Sequence, residues 1–153
     1  MKFSNAFILL RPHVAELLAS EKLRDKLKHI TKTYSNIILA DHNIFPDINS
    51  LLPMTNALIS DYSALYHDFL LLDRPIALVP YDYEDFEKKN GFLYDYFSYA
   101  PGRILRNQNN LIDFIDDVKN ETDSYYEKRL LLKKRIHSCS DKNSCSRVIE
   151  IIK

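Results

Sequence analysis

Apolar residues fall along this chain in two alternating textures. Short unbroken runs occupy residues 6–10 (AFILL), 36–40 (NIILA), 57–60 (ALIS) and 75–80 (PIALVP). Runs of this length predict strands buried on both faces, as in a parallel sheet. Pro75 stands at the start of its run, where a strand tolerates proline. Between the runs the apolar positions recur by threes and fours. Val14, Leu17, Leu18, Leu23, Leu27 and Ile30 do so with charges between them, which predicts a helix over residues 14–30. Further helices are predicted over 64–72, 111–118 and 125–136, with a helical tail at 148–152. Asp47 is placed to cap a short helix at 48–52. Residues 81–99 are dense in aromatic and acidic side chains, contain Gly91, and read as a long, partly helical loop. Pro101-Gly102 marks a turn, and Ile104-Leu105 a short edge strand.

Strands alternating with amphipathic helices predict an α/β fold, a Rossmann-like parallel sheet with helices on both faces. The 153 residues suggest one domain over 1–153, since no repeat, Gly/Ser-rich linker or low-complexity run divides them. A composition 46% hydrophobic and 27% charged suits an ordered domain. Lys plus Arg equals Asp plus Glu, at 21 each, so no overall field points to nucleic acid as a partner. With only two glycines, Gly91 and Gly102, the chain has neither a G-x-G-x-x-G fingerprint nor a Walker-type loop. Any phosphate must be held by other means. Cys139 and Cys145 match no zinc spacing and read as free thiols in a reducing compartment. The apolar run within the first ten residues is too short for a signal peptide or a membrane span, so a cytoplasmic location is expected.

In an open parallel sheet, ligands bind beyond the carboxyl ends of the strands. Two polar groups are predicted there. Arg11-Pro12-His13 follows the first strand, and Ser60-Asp61-Tyr62-Ser63 follows the third at the start of a helix. A helix N-terminus attracts phosphate, and a serine adds a hydrogen bond without any glycine loop. Equally, Asp61 or Ser63 simply caps the helix. Arg11 offers a planar donor fork, and His13 a donor or an acid–base group. The alternative is a solvated Arg11 and a His13 that caps a strand–helix junction. Asp73-Arg74 reads as a turn at the other end of the sheet. The aromatic loop either covers a ligand or packs on the sheet edge. The helix over 125–136 carries Lys128, Arg129, Lys133, Lys134 and Arg135, a basic face suited to solvent or to anionic lipid.

The segment Leu58-Ile59-Ser60-Asp61-Tyr62-Ser63-Ala64, continuing to Asp68-Phe69-Leu70-Leu71-Leu72-Asp73-Arg74-Pro75-Ile76, resembles the "TDYSS…DfllLdrPi" signature of the CDP-glycerol:polyol-phosphate glycerophosphotransferases. Leu10-Arg11-Pro12-His13 resembles that family's "LRxH" element. Tyr81-Asp82-Tyr83-Glu84, Gly91-Phe92-Leu93-Tyr94-Asp95 and Ala100-Pro101-Gly102 resemble its "YDlE…rGFyfDy…aPGpi" stretch, and residues 126–149 its closing helices.

The resemblance implies the carboxyl-terminal, donor-binding lobe of a GT-B architecture. It further implies a CDP-activated polyol donor, a teichoic-acid or capsule polymer acceptor, release of CMP, and work at the cytoplasmic face of the membrane. No cofactor is expected beyond the donor substrate. By position, His13 matches the histidine at the donor diphosphate and is the catalytic candidate. Ser60, Asp61, Tyr62 and Ser63 match the donor-binding element, with Ser63 on the diphosphate and Arg11 a further contact. The family's "HGTPLK"-like element is absent, and Ala64 replaces a usual serine. An amino-terminal lobe or a partner chain is therefore expected to complete the enzyme. The alternatives are a non-catalytic nucleotide-binding remnant and a scaffold on a membrane assembly.

Overall fold

Every apolar run becomes a strand, and every strand is short. The computed structural model describes residues 6–152. Residues 1–5, part of the start read above as free of a leader, lie outside the described residues, as does Lys153. The strands are β1 (Ile8–Leu10), β2 (Ile37–Leu39), β3 (Leu58–Ser60), β4 (Ile76–Leu78) and β5 (Arg103–Ile104). All pairings are parallel: Ile8 opposite Ile37, Leu58 opposite Ile76, Ala77 opposite Arg103. The expected single sheet is two hydrogen-bonded sheets, β1-β2 and β3-β4-β5. Among the described residues, burial on both faces holds for β4 alone, the one strand there flanked on both edges; the middle residues Leu9, Ile38 and Ile59 are exposed. The α/β class, with parallel strands and flanking helices, is the one the sequence implied.

The chain forms two compact units, Met1–Met54 and Thr55–Lys153. In the first, the helix expected over 14–30 is two helices, α1 (Val14–Ala19) and α2 (Glu21–Thr33). Ser20 separates them in an extended conformation, and its Oγ accepts the Leu23 N–H at 3.1 Å, so it ends one helix and caps the next. The apolar period runs through this break, which is why the pattern alone did not show it. Asp47 caps a single 3-10 turn, Ile48–Ser50, by accepting from Asn49 N at 2.9 Å.

The second unit carries α3 (Leu65–Phe69), α4 (Tyr83–Asn90), α5 (Gln108–Lys119), α6 (Tyr126–Ile136) and α7 (Ser144–Ile152). Its centre is β4, where Ile76, Ala77 and Leu78 are shielded together with Phe69 and Leu70. Ala77, Leu105 and Phe114 form one cluster, against which Leu111 and Val118 pack. Leu111, Phe114 and Val118 make the apolar stripe that seats α5. Arg103 of β5 binds Asp117 and lies 3.7 Å from Asp113, both on α5. The turn expected at Asp73-Arg74 is present. Asp73 adopts a left-handed conformation, φ 53°, and Arg74 donates to the Thr55 carbonyl.

The basic face expected on α6 is largely turned to partners within the chain. Arg129 is buried and pairs with Asp123, with a 3.2 Å bond from Nη1 to Oδ1. Lys133 binds Asp73 at 2.7 Å, and Arg135 donates to Tyr99 Oη at 2.6 Å. Burial alone would raise the Asp123 carboxyl. The hydrogen bond and charge of Arg129, with the Tyr125 N–H, outweigh it and hold the group below the usual carboxylate range.

Two tests of this architecture follow. A Cβ built on Gly102 lies 1.6 Å from the Ile76 carbonyl oxygen, so Gly102→Ala must push β5 off β4. Denaturant unfolding is expected to show a loss of more than about 3 kcal/mol; a loss below about 1 kcal/mol contradicts this packing. The Arg129–Asp123 pair is expected to give a pH-dependent term. Because the folded carboxyl is lowered, its stabilisation is complete above the unfolded value of about 4 and is lost as pH falls below that. Urea unfolding of Asp123→Asn should therefore show a deficit against wild type at pH 7 that shrinks at pH 3. An equal deficit at both values contradicts the pairing.

Candidate functional site

The groups singled out in the sequence fall in different units, and each has a local geometry of its own. In the first unit, Arg11 and His13 follow β1. The Arg11 guanidinium clamps the loop after β2. Its Nη1 donates to the carbonyls of Ala40 at 2.9 Å and Phe45 at 2.6 Å, and its Nη2 lies 3.3 Å from His42 Nδ1. Arg11 is thus bound to backbone, a role the sequence did not show.

His13 is exposed and caps α1, with Nδ1 accepting the Ala15 N–H at 3.2 Å. This bond has a consequence for the ring. An Nδ1 that accepts must be unprotonated, so the neutral imidazole carries its proton on Nε2. Capping therefore selects the tautomer with a donor on the far nitrogen.

In the second unit, β3 ends at Ser60, whose carbonyl accepts the Val79 N–H at 2.9 Å and aligns the exits of β3 and β4. The next residues form two nested turns. Asp61 Oδ1 accepts the Ser63 N–H at 3.0 Å, and Ser63 Oγ accepts the Leu65 N–H at 3.3 Å. Ser63 is exposed, and its hydroxyl proton stays available to a ligand. The N-cap position of α3 is Ala64, without a side-chain cap bond, so neither Asp61 nor Ser63 caps the helix. One Ser63 lone pair closes the turn, and the hydrogen remains.

Tyr62 turns into a cluster of rings drawn from residues 81–97. It stacks on Phe86 at 4.1 Å and meets Tyr96 at 5.4 Å and Phe92 at 5.8 Å. Tyr83 stacks on Phe92 at 5.4 Å and leans on Phe97 at 4.8 Å. Tyr96 closes the arrangement by donating from Oη to the Asp61 carbonyl at 3.2 Å. The aromatic segment, left open between covering a ligand and packing, thus packs on Tyr62 and fixes the 61–63 loop. Burial, reinforced by the carboxylate of Asp82, pushes the Tyr62 phenol up to about 12. The Tyr62 hydroxyl and Asp82 Oδ1 are both shielded from solvent without a well-aligned partner. Burial and the neighbouring Tyr62 also raise Tyr96, so both phenols keep their protons near neutrality.

Sequence reasoning missed Tyr96 and Phe86 as supports of this loop. The available signal was the i,i+3 spacing of Tyr83 and Phe86, which gives α4 one aromatic face. His67 and His137 take structural partners. His137 Nε2 donates to the His67 carbonyl at 2.8 Å, and His67 Nε2 lies 3.3 Å from Tyr94 Oη. Among the described residues, no three His, Cys, Asp or Glu side chains gather to hold a metal ion. None of the described helices is long and apolar enough to cross a membrane.

Known proteins share both the sequence and the architecture. The Staphylococcus aureus teichoic acid glycerol-phosphate transferase is 28% identical over 146 residues, 95% of this chain and 34% of that protein. The Bacillus spizizenii teichoic acid poly(ribitol-phosphate) polymerase is 37% identical over 79 residues, 52% of this chain and 13% of that protein. Among solved structures, the wall teichoic acid polymerase TagF superposes with a TM-score of 0.67 at 27% identity, covering 95% of this chain and 33% of TagF. A TagF variant soaked with CDPG gives a TM-score of 0.66 at 25% identity. The chain thus spans about a third of the length of the transferase and of TagF. The family model of the CDP-glycerol:poly(glycerophosphate) glycerophosphotransferases matches residues 2–153, and with the parallel α/β fold already in place this chain belongs to that family.

Proposed function

We propose that this chain is the donor-binding part of an enzyme that moves a polyol phosphate from a CDP-activated donor to a hydroxyl at the end of a growing teichoic-acid polymer. The acceptor oxygen attacks the phosphorus that bears the polyol. The bond to the bridging oxygen of the diphosphate breaks, and CMP leaves with that oxygen. Catalysis of such a step rests on holding the diphosphate charge and aligning the attacking oxygen.

The observation that carries this reading is the Ser63 geometry: a hydroxyl fixed by its own turn, on a loop braced by Tyr96, with its proton unspent. Ser63 donates to a diphosphate oxygen. His13, in the first unit, keeps its Nε2 proton for an anionic group and remains the catalytic candidate that the family resemblance implies. Asp61 orients the Ser63 amide, because a carboxylate set directly against phosphate would repel it. Ser60 and Tyr62 shape the loop, and Arg11 supports the segment that carries His13. An amino-terminal lobe or partner chain brings the polymer acceptor and the base that receives its proton. We assign the reaction to the cytoplasmic face of the membrane, the location that the family resemblance implies.

Calorimetric titration of the folded chain with CDP-glycerol, CMP and UDP-glucose tests this. Selective binding of the cytidine compounds is expected. Ser63→Ala should weaken CDP-glycerol binding by about 1–2 kcal/mol, and His13→Ala by about 1–3 kcal/mol. Equal affinity for UDP-glucose, or no loss in either variant, contradicts the assignment.

A further inference from the structure

The carboxyl edge of β3-β4-β5 is short of positive charge for a site that must hold a diphosphate. Three segments leave this edge: residues 61–64 after β3, 79–82 after β4, and 105–107 after β5. They carry two carboxylates, Asp61 and Asp82, and one cation, Arg106. Arg106 is exposed, and its guanidinium lies over the Phe97 ring, 5.2 Å from the centroid. Phe97 meets Tyr96 edge-on at 5.3 Å, and Tyr96 donates to the Asp61 carbonyl. A run of three contacts thus links the guanidinium to the loop that presents Ser63.

We propose that Arg106 is the residue of this unit that receives the negative charge of the donor diphosphate, with the Phe97 face as its platform. The inference rests on the donor-binding reading above and adds to it a residue outside the sequence signature. An aromatic face under a guanidinium restrains the long side chain while leaving its N–H edge free. That edge is a planar fork matched to two phosphate oxygens, and it shortens the entropic cost of ordering on binding. Ser63 supplies a neutral hydrogen bond, and Arg106 supplies the charge that Asp61 and Asp82 would otherwise leave unopposed.

The test compares wild type, Arg106→Gln and Arg106→Lys for binding of CDP-glycerol and of cytidine, at low and high salt, with thermal melting as a check on folding. Wild type is expected to bind CDP-glycerol more weakly as salt rises. Arg106→Gln should lose roughly tenfold or more in affinity for CDP-glycerol, with a flatter salt dependence and no change for cytidine. Arg106→Lys, which keeps the charge but not the fork, should fall between them and also serves if the glutamine variant does not fold. Unchanged CDP-glycerol affinity in both variants, with wild type binding normally, overturns the role of Arg106 and leaves donor binding standing. Equal losses for CDP-glycerol and cytidine overturn the charge assignment. Absence of any cytidine binding by folded wild type overturns both readings together.

Discussion

The Tyr96 hydroxyl on the Asp61 carbonyl is the contact on which the site in the second unit depends. It joins two stretches of chain 35 residues apart. Without it, the loop after β3 would be held by its own short turns and by the packing of the Tyr62 ring alone. Tyr96 can serve this way because its ring is enclosed and its phenol is kept protonated by burial. Around it, Tyr62 and Phe86 stack at 4.1 Å, turning what resembles a signature tyrosine into an anchor for the segment that follows β4. Aromatic packing thus sets a backbone turn and keeps it set, as glycine-rich loops do in phosphate sites.

The polar groups follow a common rule. His13 and Ser63 each use one acceptor site to satisfy a helix-start amide, and each retains one donor. A local bond of this kind fixes the side chain before a ligand arrives, so less ordering remains to be done on binding. For His13 it also decides which nitrogen carries the proton. A local hydrogen bond and a ligand bond use separate atoms of each side chain, so the one does not exclude the other.

The strands were legible because unbroken apolar runs leave few other choices, and β4 was the clearest since it is buried along its whole length. Helix ends were less so. Ser20 sits within an apolar period that continues on either side, and only its extended backbone shows the break between α1 and α2. Arg129 misled for another reason. It shares a stripe with Leu132 and Ile136, at spacings of three and four, but a charge there reads as solvated until its partner Asp123 is seen. Arg11 behaves similarly, since its carbonyl partners at Ala40 and Phe45 are distant in sequence and carry no side-chain signal. The polar residues of the 61–63 loop stood out by their types and by the family resemblance. The braces that hold it were not, because they come from a segment whose aromatic content fits either packing or ligand contact.

In the proposed function, donor phosphate meets the carboxyl edge of β3-β4-β5 at the 61–63 loop. Heteronuclear NMR of the labelled chain during titration with CDP-glycerol tests this placement. The largest shift changes are expected at the Ser63 and Ala64 amides and the Arg106 Nε–H. Changes confined to another part of this unit, such as the cavity of about 400 Å³ lined by Leu71, Lys133, His137 and Asp141, would contradict it.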